Sequence, residues 1–290
     1  MAEKIDSITK KMKVILFTNA RDEIHIKEWA VHHLLLGFDI VYIFDHRSKT
    51  PIRNEFQGFK NRIIVERCNM ENPVKIPLMK QAVRIAKSAG ADWMLYLDAD
   101  EFLILNHFKG VKRMLLYYNY AHSIGVNWLM FGTNHHVREP PGLILENYTK
   151  SDLKLNHHVK TFARPQFITG CSQPHNYHMV NGCKFISVNH EIMSANSPFN
   201  QIEMEYYRAP AYIAHYVYQS EESYVRRKLN LPSDDNGIMR ARDMEIHEKH
   251  NGHQNLHPST KYAHRIKHFL YTFQQKTSGE TEKASTDESS

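Results

Sequence analysis

The chain has 290 residues, of which 42% are hydrophobic and 23% charged, a balance typical of one large α/β domain or two small ones. The formal net charge of +6 suits an anionic ligand such as a nucleotide, but the basic residues are too dispersed for a dedicated nucleic-acid binder. The three cysteines indicate no disulfide framework, the polar start indicates no secretory signal, and no run approaches the roughly 20 apolar residues that cross a bilayer.

Apolar runs and helical periodicity alternate through the first half of the chain. Strands are predicted at 13–18, 40–44, 62–66, 93–97 and 124–128, and helices at 23–36, 73–89 and 108–118. Gly37 stands where the first of these helices would end. Two strands joined by a helix within roughly 30 residues are the signature of a parallel sheet.

The pattern changes after residue 130. His, Asn, Gly and Pro are frequent up to 210, and short strand-like runs at 159–163 and 185–188 predict an antiparallel extension with loops. A further strand is predicted at 211–218, and helices at 221–229, 239–250 and 260–274. Ser220 could cap the first of these helices. The polar segment 276–290 is predicted to be disordered. We therefore predict an α/β protein with a mixed, mostly parallel sheet, flanking helices and a single domain over 1–275.

The clearest chemical signal is the pair Asp98 and Asp100, which follows the apolar run at 93–97. Residues i and i+2 of an extended chain point to the same side, and open α/β sheets bind ligands at the carboxyl ends of their strands. Two carboxylates there suit Mg²⁺ or Mn²⁺, which completes its shell with water and phosphate oxygens. The alternative interpretation is a solvated acidic turn after a core strand.

Other polar side chains follow the first two predicted strands and would converge on the same edge of a parallel sheet. They are Thr18, Asn19, Arg21, Glu23 and Asp45. Arg21 could bind phosphate through its bidentate fork, and Asp45 could bind a base or ribose. The alternative for both is ordinary turn chemistry. No glycine-rich phosphate loop occurs, so a phosphate ligand would depend on a metal and on basic side chains.

Histidine is frequent, with 20 residues. One cluster offers four potential zinc ligands, but its spacing does not match the usual paired pattern; these residues are Cys171, His175, His178 and Cys183. His215 lies in an apolar run just before the basic residues Arg226, Arg227 and Lys228. We interpret His215 either as a core residue or as a group that completes the metal shell or contacts a diphosphate.

Six stretches in the same order resemble the family-2-like and family-92-like glycosyltransferases. They are 20–45, which contains A-R-D-E, L-G and Y-I-F-D; 97–102, L-D-A-D-E-F; 128–133, W-L-M-F-G-T; 160–165, K-T-F-A-R-P; 174–175, P-H; and 215–224, H-Y-V-Y-Q-S-E-E-S-Y. The departures are Asp22 and His46 where Asn is usual, and Gln219 where Lys is usual. The last change removes a possible phosphate contact, which Arg226 or Lys228 would have to replace.

The resemblance implies a GT-A (Rossmann-like) fold. It also implies a nucleotide-sugar donor, with a UDP-sugar favoured, and Mn²⁺ or Mg²⁺ as the metal cofactor. It implies a nucleotide-binding half at 13–128 and an acceptor-binding half at 129–275. Asp98, Asp100 and His215 would hold the metal, and Asp98 could contact the ribose instead. The nucleotide would be bound by Thr18, Asn19, Arg21, Glu23, Asp45, Asp98, Arg226 and Lys228. Trp128, Phe131 and Gly132 would contact the acceptor, with core packing as the alternative.

The predicted reaction is transfer of a sugar to a hydroxyl of a glycan or another acceptor, and the resemblance favours inversion. Inversion needs a carboxylate base near that hydroxyl. Among Asp152, Glu191 and Glu146 we select Asp152, because it lies in a polar loop before the 160–165 stretch; a surface role is the alternative. A sugar-phosphate nucleotidyltransferase and a non-catalytic basic binding protein remain as other functions. We expect a soluble cytoplasmic protein of microbial or viral origin; the oligomeric state is not predicted.

Overall fold

The computed structural model describes residues 2–194 and 197–287. Its strands are β1 (Val14–Ala20), β2 (Ile40–His46), β3 (Ile63–Cys68), β4 (Trp93–Tyr96), β5 (Glu101–Leu105), β6 (Ser123–Met130), β7 (Lys150–Ser151), β8 (Val159–Ala163), β9 (Ile168–Gly170), β10 (His178–Met179), β11 (Phe185–Ser187), β12 (Ala211–His215) and β13 (His253–Gln254). Its α-helices are α1 (Ala2–Lys11), α2 (Ile26–Leu36), α3 (Lys75–Ser88), α4 (Val111–Tyr117), α5 (Ile144–Asn147), α6 (Glu221–Tyr224) and α7 (His264–Asp287). Short 3₁₀ and π-helical turns cover Ile52–Phe56, Lys60–Arg62, Pro165–Phe167, Val225–Leu229 and Ser259–Ala263.

A nine-stranded sheet organises the chain, in the order β3-β2-β1-β4-β8-β6-β12-β5, with β11 beside β6. The pairs β1–β2, β1–β4, β2–β3, β6–β11 and β6–β12 are parallel. The pairs β4–β8, β6–β8 and β5–β12 are antiparallel. The predicted mixed, mostly parallel sheet is therefore confirmed. Two small antiparallel sheets, β9–β10 and β7–β13, lie in the predicted irregular region.

The central strand β1 explains why both faces of the sheet are covered. All seven of its residues are buried, as expected for a parallel strand between two layers of helices. Leu16 belongs to the same core cluster as Trp29 of α2, whereas its neighbour Phe17 belongs to the cluster that contains Leu78 of α3. Successive side chains of a strand point to opposite faces, so this alternation places α2 and α3 on opposite sides.

Two predicted helix ends are confirmed in detail. Gly37 ends α2 with a left-handed φ of 101°, and its N–H donates to the carbonyl of Leu34. A glycine accepts this conformation at no steric cost. Ser220 caps α6, because its Oγ accepts a hydrogen bond of 3.1 Å from the N–H of Ser223. The chain continues from α6 into the π-helical turn Val225–Leu229, which carries the basic residues toward the sheet.

The structure corrects several predictions. The helix predicted at 239–250 is wrong, because 239–243 lacks regular structure and 244–250 forms turns. Met239 and Met244 are 53% and 78% exposed, so this segment lacks the apolar stripe that a packed helix buries. The strand β5 was not predicted. The helix α7 continues to Asp287, through part of the segment predicted to be disordered, and 288–290 lie outside the described residues. In the part of the chain that is described, no helix is both long and apolar enough to span a membrane.

Candidate functional site

A cleft opens at the carboxyl ends of β1 and β4, beside the turn that leads from β4 to β5. Its lining comes from 19–21 and Glu23, from Lys75, from 98–100, from 227–228, and from 231–235 with Arg240. The first and third of these groups follow parallel neighbours in the sheet, which is where α/β sheets place ligands. The cleft therefore brings together six of the predicted site residues, which are Asn19, Arg21, Glu23, Asp98, Asp100 and Lys228.

Asp98 is held by two lysines. One carboxylate oxygen is paired with Lys75 Nζ, and the other accepts from Lys160 Nζ at 3.0 Å. Lys75 also donates to Asn19 Oδ1 at 2.8 Å. Burial alone would raise the pKa of Asp98, but Lys160 and Lys75 outweigh it and hold this pKa well below its usual value. Asp98 is therefore a carboxylate at neutral pH, and each of its oxygens already has a cationic partner.

Asp100 is buried and faces three basic side chains. Its Oδ2 accepts from Arg227 Nη1 at 2.9 Å and from Lys228 Nζ at 3.0 Å. Its Oδ1 lies 3.6 Å from His215 Nε2, which is too far for a hydrogen bond. Burial opposes ionisation of Asp100, but the positive charges of Lys228 and Arg227 outweigh it and lower the pKa of Asp100. Burial also lowers the pKa of His215 to about 4, despite the nearby Asp100, so a neutral imidazole faces a carboxylate oxygen.

The predicted metal site is only partly assembled. Within 2–194 and 197–287, no group of three or more His, Cys, Asp or Glu side chains is placed to hold a metal ion. Asp100 and His215 do face each other, and a carboxylate with a neutral imidazole is a donor pair that suits Mn²⁺ better than Mg²⁺, which prefers oxygen ligands, when phosphate and water supply the remaining ligands. Asp98 differs, because its oxygens contact lysines.

Charges in the cleft are balanced. The described residues that line it include five basic and five acidic side chains, namely Arg21, Lys75, Arg227, Lys228 and Arg240, and Glu23, Asp98, Asp100, Asp234 and Asp235. Most of the basic groups are engaged by the acidic ones. Arg21 is different, because its buried Nε has no hydrogen-bond partner in the described part of the chain. Arg21 is therefore a cation available to an anionic ligand.

The segment 231–235 closes one side of the cleft and was not predicted to take part. Asp234 accepts from Asn19 Nδ2 at 2.6 Å through its side chain. Its carbonyl oxygen accepts from the N–H groups of Val74 and Lys75, at 2.9 and 3.0 Å. The start of α3 is thereby tied to a loop that lies more than a hundred residues later in the sequence.

Several predicted site residues have other surroundings. Thr18 is fully buried, and its hydroxyl donates to the carbonyl of Asn19 at 3.2 Å. Asp45 accepts from the N–H groups of Ser48 and Ile52, at 3.2 and 3.1 Å, and pairs with Arg67. This is the turn chemistry that was the alternative for Asp45. Arg226 donates to the carbonyl of Asp22 and to Ser223 Oγ, so its guanidinium supports the loop after β1.

The predicted acceptor and catalytic residues are also separated from the cleft lining. Phe131 is fully buried in the core, and a Cβ on Gly132 would lie only 2.5 Å from the side chain of Asn251. Trp128 is half-buried, and its ring lies 4.5 Å from that of His215. Asp152 is 40% exposed and accepts from His250 Nδ1 at 2.9 Å. Of these four residues, only Trp128 contacts the site.

Sequence reasoning missed the two lysines that hold Asp98. Lys160 lies in β8, whose five residues are all buried, and is itself 1% exposed. A lysine inside an apolar strand needs a buried partner, so that pattern could have identified Lys160. Lys75 stands at the start of α3, where the sequence offers no comparable signal. Arg227 stands in the helix predicted at 221–229, where its pairing with Asp100 has no signal in the sequence.

No protein-family model matches the chain, and no curated protein matches it in sequence. Similar solved structures include S. aureus TarS in complex with UDP, with a TM-score of 0.35 and 10% identity over 54% of this chain and 48% of that one. Another is glucosyl-3-phosphoglycerate synthase from Mycobacterium tuberculosis in complex with Mn²⁺, UDP and glucosyl-3-phosphoglycerate, with a TM-score of 0.32 and 10% identity over 58% of this chain and 62% of that one. The chain thus spans roughly half to three-fifths of the structures it matches. TM-scores this low add nothing to what the sheet order and the cleft themselves show.

Proposed function

We propose that this chain is a glycosyltransferase that takes a sugar from a nucleotide-sugar donor, with a UDP-sugar favoured, and transfers it to a hydroxyl of a glycan or another acceptor. The observation that carries the proposal is the cleft at the carboxyl ends of β1 and β4. It combines the Asp98–Asp100 pair with Arg21, Arg227 and Lys228. The six stretches that resemble glycosyltransferases support it, since three of them, 20–45, 97–102 and 215–224, contribute Arg21, the Asp pair and His215.

In this proposal, a metal ion balances the negative charge that the nucleotide diphosphate brings into the cleft. A nucleotide diphosphate brings negative charge into a cleft whose own acidic and basic side chains cancel. A divalent ion, bound by Asp100 and His215, would offset that charge and assist departure of the diphosphate as a Lewis acid. Arg21 would bind a phosphate oxygen through its guanidinium. Arg227 and Lys228, fixed by Asp100, would add two further positive charges beside the leaving group.

Asp98 has a positioning role in this proposal. By pairing with Lys75 and Lys160 it keeps two ammonium groups at the end of β4, and Lys75 in turn orients Asn19. The proposed catalytic base remains Asp152, in an inverting reaction. Its bond to His250 would keep the carboxylate oriented.

The first test is a thermal-shift screen of UDP, GDP, CMP and dTDP, each with and without Mn²⁺. A ligand present at 100 times its Kd stabilises the native state by about 2.7 kcal/mol, which corresponds to a rise of about 5 °C for a chain of this size. We expect one nucleotide to give such a shift, with Mn²⁺ increasing it. No shift with any nucleotide would contradict the proposal.

The matched variants are Arg21→Gln and Arg84→Gln. Arg84 is exposed on α3 and does not line the cleft. We expect Arg21→Gln to abolish the nucleotide shift and Arg84→Gln to retain it, while both melt within a few degrees of the wild-type chain without ligand. An undiminished shift in Arg21→Gln would rule out its phosphate contact. Release of UDP from a UDP-sugar then separates a transferase from a protein that only binds the nucleotide.

A further inference from the structure

A second depression lies along the segment that leads from β7 to β8. It has a volume of about 640 Å³ and is lined by 152–158, Phe199 and Gln201. This volume falls within the roughly 300–1,000 Å³ that small-molecule sites occupy. Phe199 is 41% exposed and Leu153 is 40% exposed, so apolar surface faces solvent here. We call this feature the Phe199 groove.

A row of aromatic rings connects the Phe199 groove to the candidate active site. The ring of His215, next to Asp100, lies 4.5 Å from the ring of Trp128. Trp128 stacks on His158 at 4.9 Å, and His158 lies 4.7 Å from Phe199. These contacts place the groove one row of side chains away from the proposed metal ligands. A ligand seated on Phe199 could therefore extend toward the cleft.

The charged side chains of the Phe199 groove are already paired, so the polar groups that remain free in it are uncharged. Its charged side chains have partners close by, since Lys154 pairs with Glu203 at 2.8 Å and Asp152 accepts from His250 at 2.9 Å. The groups left for a ligand are then mainly amides and imidazoles around an exposed phenyl ring. Such a lining favours a neutral ligand that has an apolar face and many hydroxyl groups.

Asn156 shows how the polar rim is organised. Its Oδ1 accepts from the N–H and from the Nδ1 of His158, both at 2.9 Å. This fixes the imidazole against Trp128. The amide nitrogen of Asn156 has no hydrogen-bond partner among the described residues, which leaves two N–H donors for a ligand. Burial, with help from His157 and Lys160, lowers the pKa of His158, so its ring is neutral at pH 7.

We propose that the Phe199 groove binds the saccharide acceptor, with the apolar face of a pyranose ring on Phe199 and its hydroxyls at Asn156 and Gln201. Its role as an acceptor site rests on the proposed function, whereas saccharide binding does not. The geometry also gives Asp152 a place at the edge of the bound sugar. A saccharide of two or more units would span the row of rings toward the cleft.

The test uses the fluorescence of the intact chain. Trp29 and Trp93 are fully buried, whereas Trp128 is only partly buried and stacks on His158, so emission changes on binding report mainly on Trp128. The probes are lactose, cellobiose, maltose and chitobiose, with isothermal titration as a second readout. We expect saturable binding of at least one disaccharide, weakened at least tenfold in Phe199→Ala and retained in Phe199→Tyr. The control is Tyr271→Ala, which removes another exposed aromatic ring, 63% exposed, from α7.

The outcomes separate this proposal from the proposed function. No binding of any probe to the wild-type chain by either readout, or equal binding by Phe199→Ala, would overturn the saccharide site. If the nucleotide shift persists in that case, the transferase proposal stands without this groove. Saccharide binding without any nucleotide shift would keep the groove as a binding site and remove its role as an acceptor site. With an active enzyme, Phe199→Ala should raise the acceptor KM.

Discussion

Replacing Asp98 by Asn tests whether this carboxylate holds the basic side chains of the site in place. The substitution keeps the size of the side chain and removes its charge. Lys75 and Lys160 are 5% and 1% exposed, and each would lose its pairing with the carboxylate. Removing one partner of a buried ion pair leaves an uncompensated buried charge. We therefore expect Asp98→Asn to destabilise the fold.

The magnitude follows from the surroundings of the two lysines. Breaking a buried pair costs roughly 3–5 kcal/mol. Asp98 is itself 30% exposed, and Lys75 keeps Asn19 while Lys160 keeps Glu101 at 3.5 Å. These remaining partners place the expected cost at the low end, about 3 kcal/mol. The carboxylate pKa is depressed in the folded chain, so its stabilisation is present above the unfolded pKa of about 3.9 and is lost as the pH falls below it.

Urea denaturation at pH 7 measures this cost, and Glu203→Gln is the matched control. Glu203 pairs with Lys154 at 2.8 Å, but both side chains are largely exposed, at 71% and 60%, so that pair should contribute less than about 1 kcal/mol. Lys75→Met in the Asp98→Asn background should recover part of the loss, since Lys75 would keep only the neutral amide of Asn19 as a hydrogen-bond partner. Equal costs for Asp98→Asn and Glu203→Gln, or no recovery in the double variant, would refute the reasoning.

Two further predictions concern stability. Burial lowers the pKa of His32 to about 4, although the Leu103 carbonyl beside it opposes the shift. Between about pH 6.5 and 4 the unfolded chain therefore binds a proton at this residue that the folded chain does not. As the pH falls through that window, His32 should reduce the free energy of unfolding by about 3 kcal/mol. Urea denaturation at several pH values should show a flatter profile for His32→Phe, and an unchanged profile would contradict this assignment. Gly132→Ala should cost roughly 1–3 kcal/mol, because the new Cβ would meet Asn251 at 2.5 Å. Gly170→Ala, where nothing lies within 4 Å, is its control, and equal melting temperatures would show that the 250–251 loop yields freely.

The first half of the fold could be predicted because its signals are local. The strands β1, β2 and β4 are continuous apolar runs, and the helices between them show a clear apolar spacing. The strand β5 was missed because it begins at Glu101, directly after the acidic turn, and its partner β12 lies more than a hundred residues later. Pairing over such a distance leaves no periodic signal in the sequence of either strand.

The same distinction applies to the site. The convergence of Asn19, Arg21 and Asp98 on one edge followed from parallel strands, and the structure places them together. The partners of the carboxylates could not be predicted in this way. Lys160 reaches Asp98 from β8, and Arg227 reaches Asp100 from the turn after α6. Those contacts depend on how the second half of the chain folds against the first, which no local pattern specifies.

The acidic pair therefore has two different environments, although its residues are two positions apart. Asp98 is bound on both oxygens by lysines from α3 and β8. Asp100 is bound on one oxygen by Arg227 and Lys228, while its other oxygen faces a neutral imidazole without a hydrogen bond between them. A carboxylate whose two oxygens are both paired holds the surrounding cations in place. A carboxylate with one unpaired oxygen can also bind a metal ion through that oxygen. In the proposed enzyme, this asymmetry gives Asp98 the positioning role and Asp100 the role of metal ligand.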